Sequence, residues 1–172
     1  MGFRGTGGVY NQEHPHYDKP ALIRAGHIGL AGIIEGKIIG FSPTPESAEK
    51  AGGEKELLEK LRNHEAVPGC LQDDTAIFRQ AYEMAQKGEN TIVWMIEIEV
   101  SQETVEKIRD WYETGKESLY NFPEFDGSFK PGEYNCATFP VLMGISIPAN
   151  TGILRTYIAE MSRKGKKWTG EI

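Results

Sequence analysis

Three consecutive segments decide the fold: Gly26-His27-Ile28-Gly29-Leu30-Ala31-Gly32-Ile33-Ile34, the pair Glu35-Gly36, and Lys37-Ile38-Ile39-Gly40-Phe41. Two apolar runs around an acidic–glycine pair indicate a β-hairpin. Pro43 and Pro45 close its second strand, because proline cannot donate to a ladder. Side chains alternate along a strand, so His27, Gly29, Ala31 and Ile33 share one face and Ile28, Leu30 and Ile34 the other. The histidine thus stands among small residues, which leaves room for the segment bearing Cys136 to lie across it. Taken alone, a histidine so placed reads as a buried side chain bonded to backbone; beside a nucleophile it reads as a base.

Downstream, Glu46–Asn63 is charged and interrupted by Gly52-Gly53, predicting an exposed excursion with one short helix around Glu54–Arg62. Asp74 is placed to cap a helix over Thr75–Lys87, with Ile77, Phe78, Ala81, Met84 and Ala85 on one face and Gly88 as its stop. Thr91–Val100 (TIVWMIEIEV) reads as a strand. Ser101 then caps a helix to about Thr114 that turns Val105, Ile108, Trp111 and Tyr112 inward before Gly115. Leu119–Gly132 is a loop rich in glycine, proline and aromatics, which either line a groove or anchor the loop. Short helices are expected over Cys136–Met143 and Thr151–Met161. Residues 1–20 carry no apolar period and read as an extended lead-in, residues 21–163 as a single domain, and residues 164–172 as a solvated basic tail. A hairpin, helices and a later strand together indicate an α+β fold.

Composition narrows the function classes. The 172 residues are 39% hydrophobic and 26% charged, which is globular and sufficient for a core without disulfide staples. No apolar run approaches the ~20 residues of a membrane span. The first residues, MGFRGTGG, lack the apolar centre of a signal peptide. A net charge of −6 weighs against a nucleic-acid partner. Two cysteines can form neither a disulfide framework nor a four-thiolate zinc site. His14-x-His16 with Asp18 lacks a partner pair and reads as loop, so no metal or other cofactor is expected. His64 follows a charged helix and reads as exposed, and Cys70 as a bystander. Gly5-Thr6-Gly7-Gly8 precedes no strand–helix unit that would make it a phosphate loop.

The chemistry points to Tyr134-Asn135-Cys136-Ala137-Thr138-Phe139. A cysteine at a helix start meets unpaired N–H groups and the positive end of the dipole, which favour the nucleophilic thiolate. The same amides, near Cys136–Ala137, can hold an oxyanion. The plain alternative is a small buried hydrophobe. Cysteine chemistry needs a base within hydrogen-bond reach, and His27 is the candidate.

The order of histidine strand, hairpin and late Asn-Cys-x-x-Phe segment resembles the circularly permuted papain-like fold. That group includes permuted NlpC/P60 hydrolases and lecithin–retinol acyltransferase-like enzymes. The resemblance runs from Gly26 to about Pro148. It rests on Gly26–Leu30, Gly40-Phe41-Ser42-Pro43, Val67-Pro68-Gly69 leading to Asp73-Asp74, Ile98–Glu103, Tyr120-Asn121-Phe122 and Asn135–Phe139. It implies an antiparallel sheet packed by a helix with cysteine at its N-terminus, with His27 as base and Cys136 as nucleophile. Members often place an orienting residue on the second hairpin strand. The aligned position here is Gly40, which cannot serve, so Ser42, Asp74 and Glu99 are the candidates, with Glu97 beside them. Pro140 is the other departure: it is tolerated only in the first helical turn, so the helix must start late or bend.

For function, the resemblance implies a cysteine hydrolase cutting an amide bond. Foremost would be a peptidoglycan amidase or endopeptidase serving as an antibacterial effector, made in the cytoplasm and exported to a target cell's periplasm. Its partners would be a peptide or peptidoglycan substrate and a cognate immunity protein. The alternatives are a lipid acyltransferase or thioesterase of the same fold, and a non-catalytic binding module in which both residues belong to the core.

Overall fold

The computed structural model describes residues 2–11, 27–88, 91–124, 127–145, 163 and 166–172. The described strands are β1 (Gly2–Asn11), β2 (Gly29–Ala31), β3 (Ile38–Pro43), β4 (Val67–Asp73), β5 (Thr91–Glu99), β6 (Glu117–Tyr120), β7 (Glu133–Tyr134) and β8 (Lys166–Lys167). They form one sheet in the order β7-β6-β4-β3-β2-β1-β5-β8. Every neighbouring pair is antiparallel except β6 with β7. The helices are α1 (Pro45–Ala51), α2 (Glu54–Arg62), α3 (Thr75–Gln86), α4 (Gln102–Thr114) and α5 (Thr138–Leu142). The architecture is α+β, as expected, although the excursion after β3 holds two helices rather than one.

The hairpin is present, with Leu30 opposite Ile39 and Ala31 opposite Ile38, but its first strand is shorter than its apolar run. Gly32, at φ 91°, takes the chain out of the extended region, and the turn lasts to Lys37, whose N–H bonds Ile34 O at 3.2 Å. At the N-terminus, the expected lead-in contains β1, seated between β2 and β5. Its glycine-rich sequence has no apolar alternation to read. The register with β5 slips between Thr6 and Val9, and Gly7-Gly8 takes up the extra residue as a bulge.

The expected basic tail is likewise part of the sheet. Lys166 and Lys167 are exposed but pair with β5. Trp168 is buried: its N–H bonds Val93 O at 2.8 Å, and its ring meets Tyr82 edge-on at 5.5 Å. The helix expected over Thr151–Met161 and the trio His14, His16 and Asp18 lie outside the described residues.

Strand alternation sends adjacent isoleucines to opposite cores. Ile39, with Leu30, Phe41 and Leu71, packs on Val105 and Ile108 of α4 and on Phe139. Phe41 stacks on Phe139 at 4.6 Å, and Trp111 meets that ring edge-on at 5.1 Å. Ile38, with Ala31, Val93 and Met95, packs on Phe78 and Ala81 of α3. This second core corrects the expectation that the Cys136 segment lies across the small residues of β2. A Cβ on Gly29 would come within 2.5 Å of Ile38 Cγ2 and 2.7 Å of Phe78 Cε2, so the space is filled by α3. Ile77, expected on the inner face of that helix, is exposed. α4 is as expected, with the Ser101 hydroxyl accepting from Thr104 N and Gly115 ending it at φ 64°. Among the described residues, no helix is long and apolar enough to cross a membrane.

Candidate active site

His27 stands just before β2, and its imidazole Nε2 lies 2.5 Å from Asp74 Oδ2. Asp74 sits between β4 and α3, where its N–H bonds Ile38 O at 2.8 Å. Its side chain does not cap α3, contrary to expectation. Asp73 does that work: its Oδ1 accepts from Thr75 N at 3.0 Å and Thr75 Oγ1 at 2.5 Å. The tandem acids therefore divide the labour, and the Asp74 carboxylate, 4% exposed, turns to the histidine.

Gly40 lets it do so. A Cβ at that position would fall on Asp74 Oδ2 and within 2.9 Å of His27 Nε2. The position that could not supply an orienting side chain is thus the gap through which the orienting carboxylate reaches the ring.

Cys136 is packed with Ile28 and Ala137, with Trp94 and Ile96 beside them, and is only 2% exposed. It is therefore more deeply placed than a cleft residue, whereas the His27 side chain keeps 22% exposure. Cys136 lies close enough to the imidazole to raise its proton affinity, and Asp74 bonds the same ring at Nε2, so Asp74, His27 and Cys136 form a chain of interacting groups. Burial pulls the His27 pKa down. The Asp74 hydrogen bond and the Cys136 hydrogen bond and charge more than reverse this, and the pKa is raised from 6.5 to about 10. The ring accordingly keeps its proton at neutral pH.

The helix after the cysteine differs from expectation in a way that affects the chemistry. It starts at Thr138, two residues past Cys136, so Pro140 falls in its first turn and forfeits no intrahelical bond. Asn135 Oδ1 accepts from Ala137 N at 2.9 Å and Thr138 N at 3.0 Å. The Ala137 amide is thereby engaged and is not a free oxyanion donor, which removes one of the two amides expected in that role. A five-residue helix also adds little dipole at the sulfur.

The remaining candidates lie apart from this chain. Ser42 Oγ accepts from Gln72 Nε2 at 2.8 Å. Glu99 is exposed at the end of β5, opposite Gly2, and Glu97 is exposed on the same strand. Cys70 lies on β4 opposite Ser42; burial pushes its thiol pKa up, and Glu117, Glu46 and Asp74 add to the rise. His64, expected to be exposed, is half-buried at φ 57° with Nε2 3.9 Å from Glu124 Oε2. Gly5-Thr6-Gly7-Gly8 lies within β1. Among the described residues, no group of three His, Cys, Asp or Glu could hold a metal ion.

Tyr120, one of the loop aromatics and part of the Tyr120-Asn121-Phe122 stretch, ends β6. Burial, and then the charge of Cys136, push its phenol pKa up, so it stays a neutral O–H. The sequence signal for it was Gly69: a Cβ there would come within 2.9 Å of Tyr120 Cβ and 2.8 Å of Phe41 Cζ.

No protein-family model, curated protein or solved structure matches the chain.

Proposed function

We propose that this protein is a cysteine hydrolase of the permuted papain-like arrangement, with Cys136 as nucleophile, His27 as its acid–base partner and Asp74 as the residue that orients His27. The observation that carries the reading is a buried carboxylate bonded to an imidazole whose proton affinity a buried thiol beside it also raises. The order of base strand first and nucleophile last supports the permuted arrangement.

In the reactive form the proton sits on His27 and the sulfur is a thiolate. Sγ attacks the carbonyl carbon of an amide or ester, forming a C–S bond and a tetrahedral oxyanion. Its collapse breaks the bond to the leaving group, which takes the proton from His27. Water then loses a proton to His27 and attacks the thioester. The C–S bond breaks, the acid departs, and the thiolate–imidazolium pair is restored. Asp74 keeps the ring oriented through both steps and offsets its charge. Amide bonds of peptidoglycan are the first substrate to test, with action in a target-cell periplasm and a cognate immunity protein as the corresponding setting.

The test is incubation with purified peptidoglycan followed by separation of the muropeptides. The wild-type protein should release new fragments. Cys136→Ser and His27→Ala should each remove nearly all of this activity, and the double variant should be scarcely worse than either. Cys136→Ser is chosen because it keeps the buried volume nearly constant. In parallel, iodoacetamide at neutral pH should modify Cys136 in preference to Cys70. A Cys136→Ser protein that keeps its activity would overturn the proposal.

A further inference from the structure

Next to this site lies a cavity of about 350 Å³ that the mechanism does not use. The α1–α2 excursion builds much of its wall, with Leu57, Leu58 and Leu61 of α2 lining it beside Pro43 and Pro45. These leucines lie at i, i+1 and i+4, the apolar stripe of an amphipathic helix. Tyr120 and Phe122 complete the lining.

Strand register puts cavity and site at the same end of the sheet. β2 starts from His27 where β3 finishes at Pro43, and Tyr120 ends β6 opposite Val67. Tyr120 lines the cavity. The Phe41 ring ties cavity and site together, lying 6.0 Å from Tyr120 and 4.6 Å from Phe139.

The polar groups on the β3–α1 side of the wall already have partners within the protein. Proline offers no N–H. Thr44 N donates to Pro68 O at 2.9 Å, the Thr44 and Ser47 hydroxyls bond each other at 2.8 Å, and Ser47 Oγ donates to Pro68 O at 3.1 Å. A peptide backbone or a sugar entering along that side would give up water for little in return, whereas hydrocarbon gains by burial. Glu54, the charged residue of the lining, opposes an anionic ligand. At ~30 Å³ per water-sized group, the volume suits about a dozen heavy atoms, too few for a long lipid tail.

We infer that this cavity receives a compact, uncharged hydrocarbon group, aryl or medium-chain alkyl, on the acyl side of the substrate attacked by Cys136, which ranks hydrophobic acyl esters and amides above the polar peptides of peptidoglycan. The acyl group is the part that stays bonded to Sγ through the second half-reaction, so a cavity at the site's end of the sheet, joined to it through Phe41 and Phe139, is placed to hold it. The acyl-side assignment rests on the cysteine-hydrolase reading; the cavity's preference for hydrocarbon does not.

The test is a series of 4-nitrophenyl esters: acetyl, octanoyl, 3-phenylpropanoyl, palmitoyl and the monoester of octanedioic acid. kcat/KM should rise by up to about fourfold per methylene buried and fall again at palmitoyl. The anionic octanedioate ester should react at least about tenfold more slowly than octanoyl. Leu58→Gln, at a half-buried wall position, should lower the octanoyl-to-acetyl ratio by about tenfold. Rates independent of chain length, lost in Cys136→Ser, would overturn the cavity's role and leave the thiol chemistry standing. In a second arm, octanamide is titrated into the Cys136→Ser protein and followed by methyl NMR. Shifts centred on Leu57, Leu58 and Leu61 support the cavity even if no ester is hydrolysed, which would count against the thiol chemistry alone. Shifts elsewhere, or none, overturn the inference.

Discussion

Gly40→Ala is the substitution that isolates the Asp74–His27 contact. Gly40 is not among the residues with positive φ, so alanine is allowed there, and the stiffer unfolded chain would by itself stabilise the protein by ~0.4–1 kcal/mol. Against that gain, the new methyl falls on the Asp74 carboxylate and lies 2.9 Å from His27 Nε2 and 3.0 Å from Ile28 O. A backbone oxygen cannot swing aside, so the carboxylate or the ring must. Loss of a hydrogen bond to a charged group costs ~1.5–3 kcal/mol, and a buried carboxylate left without its partner up to ~3–5 kcal/mol. The net effect should be ~1–4 kcal/mol of destabilisation, read from urea midpoints at constant m.

Turnover should fall by roughly 10–10⁴-fold, the range for a lost orienting carboxylate. Gly29→Ala is the control. Its methyl meets Ile38 and Phe78, so it should overpack the core by ~1–3 kcal/mol while leaving the His27 titration, followed by NMR, where it was. A Gly40→Ala protein with the parent's midpoint and an unmoved His27 titration would refute the reasoning.

The raised His27 pKa also gives a signed pH dependence. The folded protein holds the His27 proton more tightly than the unfolded chain does, so this stabilisation is complete below pH 6.5 and lost as pH rises towards about 10. The slope in that window is at most ~1.4 kcal/mol per pH unit, and Asp74→Asn should flatten it; urea midpoints across the window that stay parallel in the two proteins would contradict the assignment. Ser42→Ala and Glu99→Gln should leave turnover close to wild type, because Ser42 serves Gln72 and Glu99 is exposed, and a tenfold loss in either would displace Asp74 as the orienting residue. Ala31→Leu should destabilise by ~1–3 kcal/mol through overpacking against Phe78 and Ala81, and unchanged melting would show that α3 does not pack there.

Features written in local chemistry were legible in the sequence. α4 lies between its serine cap and its terminal glycine as read, and α2 has the bounds expected, because caps and apolar stripes act over a turn or two. His27 and Cys136 could be singled out by residue type and brought together by the order of the elements. Asp74 was one acid among several, and what distinguished it was non-local: a neighbour, Asp73, that caps the helix in its place, and a glycine on the adjacent strand. The engaged Ala137 amide could have been read from Asn135 and Thr138, an acceptor and a hydroxyl spaced to close a helix start. β1 was not legible, because its glycines carry no alternation and its partner strand lies far along the chain, with Gly2 opposite Glu99. Trp168 was hidden by the basic residues before it.

The spacing of the three site residues also bears on how the site comes into being. His27 and Asp74 are 47 positions apart, and Cys136 lies far beyond both. Between them stand β3, β4, β5 and β6, each paired with a strand that is distant in sequence or reached only after an intervening helix. Closing such loops costs chain entropy before any contact compensates for it, so non-local pairings form late. The thiol therefore meets its histidine only once the sheet is assembled. A nascent or partly folded chain carries the two residues but not the pair, and under the proposed function any thiol chemistry at Cys136 would belong to the finished domain alone.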